Sequence, residues 1–239
     1  MQGRLDVGGV IREVWRIYVD QAPVLMPAAA VVFAISGVLS GVLVAASSGL
    51  ALVAALISLV AGTLFTGMVV ELVADVQDGR RDARPGQLLR AATPVLGQLL
   101  LVGVVAGVVV LIGLIALLVP GLILITIWSV AAPVVVLERP PGLGALRRSR
   151  ELVRGNGWRT FGVIVLLVVF VYAVASSLEI AGESASTGVE IVVRVVVGVL
   201  TAPLSALAEA VLYFALLRAH DESRPATPQP LAPNPFGSE

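Results

Sequence analysis

The chain has 239 residues, of which 58% are hydrophobic and 13% charged, with a formal net charge of zero and a mean hydropathy of +0.99. Soluble domains carry about a quarter charged residues, so this composition excludes a soluble domain and predicts an integral membrane protein. Zero net charge argues against a nucleic-acid binder, the lack of cysteine excludes a disulfide scaffold or thiolate metal site, and a single histidine, His220, cannot build a catalytic or zinc site.

In the first segment Val7, Val10, Ile11, Val14, Trp15 and Tyr18 recur at helical spacing, with Arg12, Glu13, Arg16 and Asp20 between them. That pattern predicts a helix lying in the membrane plane with its apolar face down. Asp6, Glu13 and Asp20 among the arginines, and the long apolar run behind them, argue against a cleaved signal peptide. The run is therefore expected to stay as an anchor.

A membrane-crossing helix needs about 20 mostly apolar residues. Val24–Ala46 and Leu50–Val73 meet that requirement, separated by Ser47, Ser48 and Gly49. Leu99–Leu137 is too long for one crossing, and Pro120 with Gly121 is the expected break, giving spans at 99–119 and 121–137. Phe161–Leu178 and Ile191–Leu217 complete six. The prediction is an all-α, polytopic membrane domain over residues 1–220, with a proline-rich, disordered cytoplasmic tail at 221–239.

Every basic residue is an arginine, and fifteen of the sixteen fall in the first segment, the second-to-third loop, the fourth-to-fifth loop or the tail. Arginine-rich loops stay on the cytoplasmic side, so both termini are expected there, in a bacterial inner membrane. Two loop segments, Pro85–Gln98 and Leu143–Trp158, have the makings of further in-plane helices; in the latter Leu146, Val153 and Trp158 are set against the arginines. Overlaid at offsets of about 77 and then about 58 residues, Gly9, Gly86 and Gly144 align, as do Ile11, Leu88 and Leu146, and then Gln21, Gln98 and Asn156. The overlay predicts a threefold repeat of one in-plane helix followed by a two-span hairpin.

The stretch Pro133–Glu138, then Gly144-Ala-Leu-Arg-Arg-Ser-Arg-Glu-Leu-Val-Arg-Gly-Asn156, then Trp158-Arg159, resembles the bacterial glycerophosphoryl diester phosphodiesterase membrane-domain family and related uncharacterised six-span membrane proteins. Some members of that family carry a fused phosphodiesterase domain, for which these residues leave neither room nor metal-binding side chains. The resemblance therefore implies a membrane module, not an esterase.

Two places remain for chemistry. Arg147, Arg148, Arg150, Arg154 and Arg159 could contact anionic lipid head groups or a protein partner, or serve only to orient the chain. Gly155, Asn156 and Gly157 are expected to end that helix by a left-handed cap. Thr201, Ser205 and Glu209 form a polar stripe on one face of the sixth span, with Pro203 available to kink it. An ionisable group inside a span usually faces the bundle interior, so Glu209 either lines a path or bonds a neighbouring helix or arginine. Glu190 and Arg194 have the spacing of a helical ion pair. Ser36, Gly37, Ser40, Gly41, Gly103 and Gly107 are small enough for close helix packing.

These features predict a non-enzymatic, lipid-associated or accessory membrane module without metal or cofactor, possible as a homo-oligomer or with a protein partner. The alternative is a small transporter or permease subunit using the Thr201, Ser205 and Glu209 stripe.

Overall fold

Apolar runs of this length become helices because hydrocarbon offers no partner to a bare peptide group. The computed structural model describes residues 5–79, 85–182 and 187–222; among them there is no strand, and six helices are long and apolar enough to cross a membrane. The chain order is α1 (Val7–Asp20), α2 (Ala22–Ala46), α3 (Ala51–Gln77), α4 (Pro85–Ala92), α5 (Leu96–Ala116), α6 (Leu118–Trp128), α7 (Ala131–Leu137), α8 (Gly144–Val153), α9 (Gly157–Gly182) and α10 (Thr187–Glu222). The tail beyond residue 222 and the side chains of Glu190 and Arg194 lie outside the described residues, and so do the predictions made for them.

A short amphipathic helix precedes two long apolar ones three times over: α1 before α2 and α3, α4 before α5 and the α6–α7 pair, α8 before α9 and α10. The packing closes these units into a ring. The first long helix of each unit lies against the second long helix of the unit before it: α2 on α10, α5 on α3, α9 on α6. The short helices follow the same rule, with α1 on α10, α4 on α3, and α8 on α6 and α7. The second long helices α3, α7 and α10 meet one another in the centre. Burial agrees, since 33%, 44% and 50% of the three inner spans is enclosed by protein against 11% of each outer one.

Hydrogen bonds at aligned positions support the repeat. Gln98 Nε2 donates to the carbonyls of Pro140 and Gly142, just before α8. At the aligned place in the third unit, Asn156 Oδ1 accepts the Leu5 N–H, just before α1. In α1 and α8 the buried residues also correspond: Val10, Val14 and Ile17 in one, Ala145, Ser149 and Leu152 in the other. The first helix therefore turns Val10, Val14 and Ile17 toward protein, while Trp15 and Val19 are left exposed. Its apolar face is divided between the bundle and the surroundings.

The break in the 99–137 run falls elsewhere than expected. Leu117 is the single extended residue between α5 and α6, and Pro120 sits in the first turn of α6, where a missing N–H costs no helical bond. Gly121 is required by the crossing: a Cβ there would stand 2.8 Å from the Leu114 backbone nitrogen. The fourth span is itself broken at Ser129 and Val130. The reason is Pro133, which has no N–H to offer the Ser129 carbonyl.

The small-residue predictions divide. Ser40 Oγ donates to the Ala54 carbonyl and meets Ser58 Oγ, and a Cβ on Gly37 would press on Val195, so α2 uses its small face against α3 and α10. Gly103 and Gly107 have open space where a Cβ would go, so they make no close crossing within the chain.

Candidate functional site

The docking of α8 decides which arginines face outward. Ser149, fully buried, donates its hydroxyl to the Ile127 carbonyl at 2.8 Å, a group left open by the α6–α7 break. Leu146, Leu152 and Val153 pack inward beside it. This fixes the rotation of α8 and turns Arg147, Arg150 and Arg154 outward, where all three are exposed.

Arg148 points the other way. Its Nε donates to both Glu138 oxygens, at 2.9 and 3.1 Å, and its guanidinium also lies 3.9 Å from Glu151. Glu138 accepts a further bond from Tyr213 Oη of α10 at 3.0 Å. Arg148 is thus a structural tie between α8, the end of α7 and α10. Arg147 lies 3.8 Å from Glu151, but both side chains are largely exposed, and such pairs contribute little.

The helix ends as expected, with Gly155 at φ +92°. The chain then enters α9, where Arg159 is half-buried and Trp158 is 87% exposed, edge-on to Phe161. Leu143, at the other end of α8, is also exposed. The result is a face with three exposed arginines, one of them near Glu151, and Leu143 and Trp158 on either side. Of the five arginines expected to form one site, the structure brings Arg147, Arg150 and Arg154 onto one face, leaves Arg159 at its edge and takes Arg148 away.

The corresponding face of α1 has a different character. Arg12 and Arg16 are exposed but lie 3.6 and 2.5 Å from Asp6 and Glu13. Trp15 stacks on Tyr18 with centroids 5.8 Å apart, and Tyr18 Oη donates to the Leu200 carbonyl, close to Pro203. Burial raises the Tyr18 phenol above its ordinary value.

The stripe on α10 is less connected than its spacing suggests. Thr201 and Ser205 donate to the carbonyls of Val197 and Thr201 in their own helix. Glu209 makes no hydrogen bond or ion pair with a described residue, and stands one turn from Tyr213. An apolar crevice of about 10 Å³, too small to hold more than a water, lies between α2, α3 and α4 and is lined by none of the three. Among the described residues no three His, Asp or Glu side chains gather as metal ligands would.

Three apolar hairpins in a ring, each preceded by an amphipathic helix, define a polytopic integral membrane protein. Residues 17–222 match the model of a domain of unknown function, DUF8558, and the chain belongs to that family. It is also 29% identical over 164 residues to a UPF0259 membrane protein of Pectobacterium carotovorum subsp. carotovorum, a match spanning 67% of this chain and 61% of that relative. No solved structure matches. The comparisons bear out the resemblance to uncharacterised bacterial membrane proteins, and not its link to the glycerophosphoryl diester phosphodiesterase membrane domain.

Proposed function

We propose that this chain is a non-enzymatic protein of the bacterial inner membrane, with its arginine-bearing end in the cytoplasm, and that it holds anionic lipid against the outer face of α8. The observation that carries the reading is the division of labour on that helix. Arg148 is tied to Glu138, while Arg147, Arg150 and Arg154 carry their charge outward beside Leu143 and Trp158. An exposed tryptophan next to cations is suited to the level of the head groups. Each basic residue near a charged surface is worth about 1 kcal/mol, so the three together favour an anionic head group by roughly 100-fold over a neutral one.

The test is the thermal stability of the purified protein in nanodiscs of rising anionic lipid content. The midpoint is expected to rise with anionic lipid in the wild type and to be insensitive to it in an Arg147→Gln, Arg150→Gln, Arg154→Gln variant. Equal responses in the two would refute the reading.

A transporter path at Thr201, Ser205 and Glu209 has less behind it, because the two hydroxyls are taken up by their own helix. Glu209, without a described partner, is what speaks for it. Glu209→Gln abolishing solute flux in proteoliposomes would favour that path over the lipid-associated module.

A further inference from the structure

The three hairpins are unequal in a way that the ring makes measurable. Counted from the aligned residues Gln21, Gln98 and Asn156, the first long helix ends at Ala46 in the first unit and at Ala116 in the second, and in the third it is helical through Gly182, the last residue described there. The second unit is shorter by about seven residues, or about 10 Å at 1.5 Å per residue. Its turn also differs in chemistry. The α2–α3 turn carries Ser47 and Ser48, and Ser47 Oγ accepts the Gly49 N–H, as a turn in water or among head groups would. Between Gln98 and Thr126, by contrast, there is no polar side chain at all, and the α5–α6 turn is one extended residue, Leu117.

Side chains at this tip are turned outward: Ile115 is 77% exposed, Leu117 67%, Leu118 65% and Val119 64%. In water these would present a continuous apolar patch at great cost; in hydrocarbon they are at home. The difficulty of placing a turn in hydrocarbon is its open backbone groups, and this turn, a single residue long, closes part of them. Leu117 N–H reaches the Gly113 carbonyl at 2.9 Å, Gly121 N–H reaches the Leu117 carbonyl at 3.4 Å, and Pro120 has no N–H to satisfy. A hairpin that stops short is accommodated by local thinning of the leaflet.

We infer that the α5–α6 tip lies within the hydrocarbon of the leaflet opposite the arginine-bearing end, below the level of the α2–α3 turn, with acyl chains as its surroundings and a thinned leaflet above it. This stands independently of the lipid site on α8.

The chain has no cysteine, so single cysteines report without background. Full-length Ser48→Cys and Leu117→Cys are reconstituted in vesicles, freeze–thawed with a membrane-impermeant maleimide so that both faces are reached. Separately, both are spin-labelled and their collisions with oxygen and with a water-soluble nickel complex are compared. Leu117→Cys is expected to react more than about tenfold more slowly than Ser48→Cys, as a hydrocarbon site must, and its spin label to collide mainly with oxygen. Labelling as fast as at Ser48 would overturn the inference by placing the tip in water. Slow labelling with little oxygen contact would overturn it by showing protein, such as a second copy, over the tip. Ile115→Cys repeats the measurement if Leu117→Cys does not fold.

Discussion

Ser149 shows how much one hydroxyl settles. Deleting it leaves the partly buried Ile127 carbonyl without its donor, which costs about 1 kcal/mol or more. Ser149→Ala is therefore expected to lower the unfolding midpoint in denaturant titrations, while Ser177→Ala, whose hydroxyl bonds its own helix, changes stability by no more than about 0.5 kcal/mol. The Glu138 carboxylate gathers Arg148 and Tyr213, so Glu138→Ala strands two donors. It is expected to destabilise more than Tyr213→Phe, which removes one bond worth about 1 kcal/mol; the same titrations check the order. This is also where the sequence was least legible. Arg147 and Arg148 are neighbours with identical side chains, and only the buried Ser149 beside them decides which faces Glu138 and which faces out. The serine in an otherwise basic helix was the available signal.

At the scale of elements, spans were readable because hydrocarbon imposes length and polarity together, and among the described residues six helices are long and apolar enough to cross. What escaped was where the runs break. Pro120, the expected break, occupies a first helical turn, whereas Pro133, inside an apolar run, helps to split α6 from α7. Proline's effect depends on whether its missing N–H would have been used, which composition alone does not reveal. The α1 helix shows the same limit: its apolar periodicity was plain, but not that Val10, Val14 and Ile17 face α10 and α9 while Trp15 stays outside. Because Arg12 and Arg16 stand among Asp6, Glu13 and Asp20, this segment carries no excess of positive charge, and α1 is expected to be indifferent to lipid charge. The fluorescence of Trp15, in a variant with Trp128→Phe and Trp158→Phe, should not shift when anionic lipid replaces zwitterionic lipid.

For the whole molecule, the ring requires the first unit to touch the third. Gly37 of α2 lies against Val195 of α10, so the double variant Gly37→Cys, Val195→Cys is expected to form an intrachain disulfide on oxidation. A Gly37→Cys, Gly107→Cys pair should not, because α2 and α5 are outer helices of different units and Gly107 has open space beside it. Gel mobility after cleavage between the units checks both. In-plane helices in equivalent places of the ring carry different surfaces, acid-paired arginines on α1 and, on α8, three exposed arginines of which only Arg147 lies near an acid; the proposal that α8 holds anionic lipid rests on that difference. The most direct test of that claim is the selectivity of the protein for spin-labelled phosphatidylglycerol over phosphatidylcholine in reconstituted membranes. The wild type is expected to restrict the anionic lipid preferentially, and Arg147→Gln, Arg150→Gln, Arg154→Gln to lose the preference while keeping its fold; an unchanged preference in that folded variant would contradict it.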